Sequence, residues 1–349
     1  MESSSSKMNP ASNSIEKEEY MSDLETYNKF KQILSTIPKK KGAGKIDLYQ
    51  YEGFWYPFFH IPGVLLAQEH FKPQPNQVIL SCFPKCGTTW LKALAFAITT
   101  RSSESEPTNP LLTRMSHDCV PFIEFNMHSS QPELSLDVPL ASTHIPYTSL
   151  PKSIINSSCK IVYICRDPKD VFVSLWHFQN KLTSQEGLPT NKNIEDPLEI
   201  FCEGIISAGP IWDHVLGYWK ASLESPERIL FIKFEDLKNE TVHWVKKLAQ
   251  FIGYPFSLEE EEKGMVQKII DLCSFENMSN LEVNKNGKLT LGFGIKKDEV
   301  KSFDLKNNMY FRKGNVGDWK NHLTPAMATR IDQITKQKLT SYGLTWNVT

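Results

Sequence analysis

The segment Pro84–Trp90, with the sequence PKCGTTW, carries residue types that bind an anionic group. It lies between an apolar run typical of a buried strand and an apolar run typical of a buried helix. A loop in that position points backbone N–H groups and the positive end of the helix at one place. Lys85 adds a full charge, and Gly87 lets a ligand approach the backbone. The segment therefore predicts an anion site, with a tight structural turn and an exposed lysine as the alternative.

The same segment does not fit a Walker A nucleotide-binding loop. The pattern GxxxxGK[ST] is absent, and the lysine precedes the glycine. This counts against a kinase-like nucleotide phosphotransferase, which stays open as a second interpretation.

A second segment, CRDPKDVFVSLWHF, offers a guanidinium and a hydroxyl. Arg166 stands at the carboxyl end of an apolar run, the edge at which open α/β sheets bind ligands. Ser174 lies two turns into the helix predicted after it. The pair is suited to a phosphate, although Arg166 can instead pair with Asp167 or Asp170.

A third segment, FRKGNVGDWK, places Arg312 and Lys313 beside Gly314. This arrangement suits an anion clamp, because the glycine exposes backbone donors. Taken alone, the segment fits a basic surface turn better.

His144 ends a short apolar run in the sequence STHIPY. A histidine at the carboxyl end of a strand can reach the ligand crevice and act as a general base, with a structural histidine as the alternative. None of the nine histidines belongs to a metal-binding pattern such as HExxH. Cys82 and Cys86 also lack the second pair of ligands that a zinc site needs, so we predict no metal.

The elements that must position these residues follow an α/β pattern. Apolar runs predict four strands, Val78–Phe83, Leu140–His144, Lys160–Cys165 and Ile229–Phe234. Helical patterns follow three of them, at Thr88–Thr99, Pro168–Phe178 (with Asp167 as N-cap) and Glu240–Ile252. This alternation favours a parallel sheet. The stretch Asn284–Gly314 has weak periodicity and predicts a functional lid or mobile loop, with a solvated surface insertion as the alternative.

Composition limits the class of protein. The formal net charge is −1, with 40% hydrophobic and 23% charged residues among 349, which excludes a disordered chain and a basic nucleic-acid binder. No apolar window approaches about 18 residues, so no membrane span is predicted. Seven scattered cysteines indicate a reducing compartment. We expect a cytoplasmic protein with a disordered polar tail over residues 1–24 and one domain over residues 25–349.

The segments PKCGTTW, STHIPY, CRDPKDVFVSLWHF and FRKGNVGDWK, in that order, resemble the cytosolic sulfotransferase family. YQYEGFW and CSFENMSNLEVNKNGK resemble its plant branch, and the resemblance covers about Asp47 to Trp346. It implies a single α/β domain with a central parallel sheet flanked by helices, related to P-loop nucleotide kinases. It also implies transfer of a sulfuryl group from 3′-phosphoadenosine 5′-phosphosulfate (PAPS) to a hydroxyl of a small acceptor, with no metal.

The resemblance assigns a role to each residue. His144 is the implied catalytic base, and Lys85 stabilises charge on the leaving oxygen. The implied 5′-phosphosulfate loop is Lys85, Cys86, Gly87, Thr88 and Thr89. The implied 3′-phosphate site is Arg166, Ser174, Arg312, Lys313 and Gly314. The implied adenine side is Trp90, Phe234, Cys273, Ser274, Phe275 and Met278.

Several positions depart from the family pattern. Cys86 replaces a frequent serine or threonine, Phe234 a tyrosine and Cys273 a threonine. Ser142 stands where many animal members have a catalytic lysine. The family's dimer motif aligns with Lys320–Thr329 but is broken there, so we predict a monomer or weak dimer.

The resemblance also suggests an apolar acceptor pocket of Trp55, Phe83, Phe122, Tyr147 and Phe178, with core packing as the alternative. Aromatic walls suit a flat or hydrophobic acceptor, so a flavonoid is expected first. Hydroxyjasmonate, desulfoglucosinolates and brassinosteroids stay open as acceptors. A catalytically weak module that binds adenosine 3′,5′-bisphosphate (PAP) is the non-enzyme alternative. Neither nucleic acid nor membrane is an expected partner.

Overall fold

The structure, a computed structural model, describes residues 28–43, 46–101, 109–125, 138–187, 190, 192–293 and 301–346. The strands are β1 (Lys39–Lys41), β2 (Asp47–Tyr51), β3 (Phe54–Pro57), β4 (Val78–Cys82), β5 (Leu140–Thr143), β6 (Lys160–Cys165), β7 (Ile229–Lys233), β8 (Lys288–Phe293) and β9 (Lys301–Lys306). The first helices are α1 (described over 28–36), α2 (Ile61–His70), α3 (Thr88–Thr100), α4 (Ser116–Cys119), α5 (Lys152–Ile155), α6 (Pro168–Gln185), α7 (Glu195–Cys202) and α8 (Ile211–Glu224). The remaining helices are α9 (Phe234–Asn239), α10 (Thr241–Ile252), α11 (Leu258–Glu262), α12 (Met265–Leu272), α13 (Phe275–Asn280), α14 (Glu282–Asn286) and α15 (Pro325–Leu339). The tail predicted over residues 1–24 lies outside the described residues.

A parallel sheet forms the centre of the fold, as the apolar runs predict. Its strand order is β5-β4-β6-β7, and every neighbouring pair is parallel. All residues of β4 and β5 are buried, as is β6 after its first residue. Strands buried on both faces read as continuous apolar runs, which is why these segments are recognisable in the sequence. Among the described helices, none is both long and apolar enough to cross a membrane.

Three of the four strands end one residue before the predicted end. The last pair between β4 and β5 is Ser81 with Thr143, and the last pair between β6 and β7 is Cys165 with Lys233. Beyond them the chain leaves the sheet, and at Phe234 it begins helix α9 at once. The residue after each of these strands therefore belongs to a connection at the sheet edge, where ligands bind in this fold class.

Helices α3 and α6 leave the sheet after β4 and β6. Every residue from Leu91 to Ile98 in α3 is buried, as an all-round apolar sequence predicts. At the start of α6 the side chain of Asp167 accepts a hydrogen bond from the backbone N of Lys169 at 2.8 Å, so the predicted cap is present. Helix α6 continues beyond the predicted end at Phe178 as far as Gln185. Its second half is partly exposed and polar, so the apolar pattern that predicts the first half does not extend to it.

The segment Asn284–Gly314 contains more regular structure than its composition predicts. Strands β8 and β9 pair as an antiparallel hairpin. The Asn307 side chain donates to the carbonyl of Val283 at 2.9 Å, and that of Asn284 to the carbonyl of Met278 at 2.8 Å. These asparagines, which are typical of loops, fix the turns on either side of the hairpin. The described part of this segment therefore forms a hairpin, and residues 294–300 lie outside the described residues. That it acts as a functional lid or mobile loop stays a prediction.

Helix α2 packs so closely against the backbone near the sheet edge that only glycine fits at position 63. A Cβ built on Gly63 would lie 1.8 Å from the carbonyl oxygen of Glu124, which is a backbone atom. Gly217, inside α8, provides a contrast, because its added Cβ would meet the Tyr147 side chain at 3.4 Å. The position of residue 124 thus depends on the missing side chain at residue 63.

We expect Gly63→Ala to lower the free energy of unfolding by about 1–3 kcal/mol, the usual cost of overpacking a core. Gly217→Ala is the matched control, and it should be neutral or stabilising by up to about 1 kcal/mol because alanine forms helix better. Urea unfolding followed by circular dichroism measures both variants. Equal stability of the two would contradict the close approach of α2.

Candidate active site

A cavity of about 420 Å³ opens at the carboxyl edge of the parallel sheet. Each of the chemistry-bearing segments contributes to its wall, although these segments are far apart in sequence. All four cations predicted from the sequence to bind an anion line the cavity, namely Lys85, Arg166, Arg312 and Lys313. His144, Thr88, Thr89, Ser174 and Gly314 line it as well.

The loop between β4 and α3 adopts a backbone shape that requires glycine. Lys85 and Gly87 have φ values of 69° and 112°, both in the left-handed region. A Cβ on Gly87 would lie 2.8 Å from the ring of Phe234. Helix α3 then begins at Thr88, so its first-turn N–H groups, which lack partners within the helix, start at the cavity.

Lys85 is a partly buried cation with three other cations near it. Its Nζ lies 4.2 Å from the centre of the Phe178 ring. Burial lowers the pKa of Lys85 to about 7, and the lowering is increased by the charges of Lys181, Arg166 and Arg312. An anion that enters the cavity would relieve this repulsion.

Arg166 leaves the end of β6 and lines the cavity while 6% exposed. Its Nη2 donates to the carbonyl of Asn315 at 2.5 Å and lies 3.4 Å from Asp170. Its Nε is buried and has no partner among the described residues. The pairing with Asp170 that the sequence left open is therefore present, and it leaves Arg166 on the cavity wall.

Two buried carboxylates hold the segment that carries Arg312 and Lys313. Asp318 accepts hydrogen bonds from Arg312 Nη1 and, at 2.8 Å, from Lys313 Nζ. Asp170, at the start of α6, accepts from the backbone N of Gly317 at 2.7 Å. Both cations are therefore positioned by the protein itself.

The carboxylate of Asp318 also accepts from Asn321 Nδ2 at 2.9 Å and from His322 Nε2 at 3.2 Å. Burial opposes its ionisation, but the hydrogen bonds, above all that of Lys313, outweigh burial and hold the pKa of Asp318 well below its usual range.

The residues expected at the adenine side lie together on the wall. Trp90 and Phe234 meet at 5.6 Å between ring centres, and a Cβ on Gly314 would lie 2.6 Å from the ring of Phe275. This group on the wall consists of Trp90, Phe234, Cys273, Ser274, Phe275 and Met278.

Cys86, in the neighbouring loop, is fully buried and does not line the cavity. Its backbone N donates to the Phe83 carbonyl at 3.2 Å. The role of Cys86 in the phosphosulfate loop stays a prediction.

His144 follows β5 and is fixed in one tautomer. Its Nδ1 lies 2.7 Å from the carbonyl oxygen of Cys82. A carbonyl can only accept, so Nδ1 carries the proton and Nε2 has a free lone pair. Burial lowers the pKa of His144 to about 3, which keeps the ring neutral near pH 7. The side chain is thus in the form that a general base requires.

The backbone of His144 is held on both sides. Its N donates to Glu124 Oε1 at 2.7 Å, and its carbonyl accepts from His214 Nε2 at 3.0 Å. Since His214 Nε2 must carry the hydrogen, its Nδ1 accepts from the hydroxyl of Tyr163 at 2.9 Å. Burial raises the pKa of Glu124 to about 7. No sequence motif predicts these contacts, which position His144.

Of the five aromatic residues expected in the acceptor pocket, Phe122 and Phe178 line the cavity. The ring of Phe122 lies 4.8 Å from that of His144. The other three are not on its described wall, because they pack elsewhere. Trp55 clusters with Leu48 and Ile205, Phe83 is fully buried 5.6 Å from the His214 ring, and Tyr147 packs 5.4 Å from the Tyr218 ring.

Six rings on the wall were not predicted: Phe59, His60, His117, Phe125, Tyr310 and Phe311. His117 stacks on Phe122 at 5.3 Å, and its Nε2 lies 3.3 Å from the Thr89 hydroxyl. These six residues come from connections or from helical segments of only four residues, so no periodic pattern separates them from surface or core aromatics. Among the described residues, no group of three or more His, Cys, Asp and Glu could hold a metal ion.

Comparison with known proteins agrees with this geometry. Residues 75–343 match the sulfotransferase domain family. The chain is 49% identical over 304 residues to a flavonol 4′-sulfotransferase of Flaveria chlorifolia, covering 86% of this chain and 91% of that protein. It is 45% identical to cytosolic sulfotransferase 16 of Arabidopsis thaliana, covering 91% and 93%. A solved sulphotransferase structure from Arabidopsis thaliana is similar with a TM-score of 0.68 and 35% identity, covering 90% and 94%. The expected P-loop-related α/β fold is confirmed, and the chain belongs to the sulfotransferase family as a PAPS-dependent enzyme.

Proposed function

We propose that this enzyme sulfates a hydroxyl group of a flavonoid or related plant phenol, with His144 as the general base. The observation that carries the proposal is the tautomer of His144, whose bond to the Cys82 carbonyl leaves Nε2 unprotonated. This histidine lines the same cavity as the cationic residues, and the Phe122 ring lies 4.8 Å from its own ring. A base in that place suits the removal of a proton from an aromatic hydroxyl.

The donor fits the cationic end. When bound, PAPS supplies the sulfuryl group and departs as PAP. The buried Nε of Arg166 has no described partner and is suited to a phosphate oxygen. Gly87 and Gly314 both have positive φ and keep the backbone open to the ligand. We assign the 3′-phosphate to Arg166, Ser174, Arg312, Lys313 and Gly314, and the 5′-phosphosulfate to Lys85, Gly87, Thr88 and Thr89.

Catalysis then rests on position and charge. His144 accepts the proton of the acceptor hydroxyl as its oxygen attacks, and Lys85 stabilises the charge that grows on the leaving oxygen. Fixed groups of this kind cost no reorganisation during the reaction. Because Ser142 replaces a lysine, Lys85 carries this task without a second cation at that position.

The acceptor end favours a flat, uncharged molecule. Phe59, Phe122, Phe125, Phe178 and Tyr310 all lie on the cavity wall, and aromatic rings suit contact with an aromatic acceptor. Similarity to a protein named flavonol 4′-sulfotransferase supports a flavonoid first. Hydroxyjasmonate, desulfoglucosinolates and brassinosteroids are the alternatives.

We further propose that the protein is cytoplasmic and acts on small molecules as a monomer or weak dimer. We expect neither nucleic acid nor membrane as a partner. A net charge of −1 and the similarity to a protein named cytosolic sulfotransferase 16 support it. Pro325 begins helix α15 inside the segment 320–329, where the family's dimer motif is broken.

We expect His144→Ala to reduce kcat about 10²- to 10⁴-fold, the usual contribution of a general base, while PAP affinity is unchanged. Turnover with labelled PAPS and PAP titration calorimetry measure the two effects. His243→Ala, on the exposed side of α10, is the control and should retain both properties. Full turnover by His144→Ala would remove this residue from the mechanism, and tight PAP binding without sulfation of any acceptor by the unmodified enzyme would favour a PAP-binding module.

We expect PAP binding to take up a proton near pH 8. Lys85, whose pKa lies at about 7 in the free protein, is then mostly neutral and regains its charge beside the anion. PAP affinity should accordingly fall as pH rises above 7. Calorimetry in buffers of different ionisation enthalpy measures the uptake, and Lys85→Met should abolish it. Uptake that persists in Lys85→Met would assign the proton to another group.

A further inference from the structure

We propose that His60 and Ser207 form a second recognition point that binds a hydroxyl or carbonyl oxygen at the end of the acceptor remote from the sulfated hydroxyl. The inference rests on the proposed function, because it concerns how the aromatic end of the cavity holds its acceptor. The family assignment and the donor site do not depend on it.

The two residues come from different parts of the chain and meet on the cavity wall. His60 precedes helix α2, and Ser207 lies between α7 and α8. The Ser207 hydroxyl lies 3.3 Å from His60 Nδ1. The His60 ring is held between Phe59 at 4.9 Å and Phe125 at 4.7 Å. Its orientation is thus fixed by a hydrogen bond and by two rings.

A row of rings connects this pair to the base. Phe125 contacts Phe122 at 5.5 Å, and Phe122 contacts His144 at 4.8 Å. His60 therefore stands at one end of the row and His144 at the other. A flat acceptor that contacts the rings of Phe122 and Phe125 can present one oxygen to each histidine, which makes the distance between its oxygens a basis for selection.

The pair is suited to an uncharged oxygen. Burial lowers the pKa of His60 to about 4, so the ring is neutral near pH 7. When Ser207 donates to Nδ1, Nε2 carries the ring proton and can donate to a carbonyl. When Ser207 accepts from Nδ1, Nε2 has the lone pair and can accept from a hydroxyl. No Asp or Glu is among the described residues that line the cavity, so an ammonium group would lack a counter-charge there.

The test compares two flavonols that differ only in one hydroxyl. This hydroxyl lies on the ring that is not sulfated, and analysis of the product identifies which ring is sulfated. His60→Phe keeps the ring packing and removes both nitrogens, while Ser207→Ala removes the hydroxyl. We expect each variant to lower kcat/KM about 3- to 10-fold for the flavonol with the remote hydroxyl and to leave the other flavonol nearly unchanged. His243→Phe, the same change on an exposed surface, is the control.

A second readout does not depend on turnover. Fluorescence titration of both flavonols into the PAP-bound protein should show the same loss of discrimination in the variants. Equal losses for both flavonols, or no loss for either, in both assays would overturn the second recognition point while leaving the proposed function intact. If the unmodified enzyme neither binds nor sulfates either flavonol, the proposed flavonoid acceptor fails, and this recognition point fails with it.

Discussion

Cations placed side by side in a partly buried cavity repel one another, and this fold must hold them there before an anion arrives. The repulsion is visible at Lys85, whose pKa falls to about 7 through burial and the charges of its neighbours. Asp170 and Asp318 oppose it by binding the segment around Arg312 and fixing the cations in place. A chain of net charge −1 can therefore carry a locally cationic site, because carboxylates stand directly behind the cations.

The same principle governs the proposed base, with the sign of the problem reversed. His144 must stay neutral, so the structure partly buries it and gives its Nδ1 a carbonyl rather than a carboxylate as partner. A carboxylate there would raise the pKa of the ring and favour the protonated form, which has no lone pair left to accept a proton. Glu124 is nearby but contacts the backbone of His144 instead, where it fixes position without forming an ion pair with the ring.

The donor half of the site could be predicted from the sequence because its chemistry demands particular residues at particular edges. A loop with Lys85 and Gly87 between a buried strand and a buried helix leaves a recognisable pattern, as does Arg166 directly after β6. Strand positions were predictable for a related reason, since strands buried on both faces are apolar throughout. Local structure in Asn284–Gly314 was not, although Leu289, Leu291 and Phe293 alternate with other residues along β8. This alternation is short and lies in a stretch rich in Lys, Gly and Asn, whose composition is typical of a loop.

The acceptor half leaves no comparable pattern, and the physical reason is that apolar contact is unspecific. Phe83 and Phe122 are both phenylalanines near the ends of apolar runs, yet one fills the core and the other faces the cavity. Only the path of the chain decides between them, and that path depends on contacts such as the approach of Gly63 to residue 124. A shape-selective wall can therefore change through small shifts in packing, whereas a donor site must keep the cations and backbone groups that bind a charged nucleotide. Acceptor choice in such a chain is then decided by the few polar groups set among the rings, which is why His60 and Ser207 carry more information about the substrate than the aromatic residues around them.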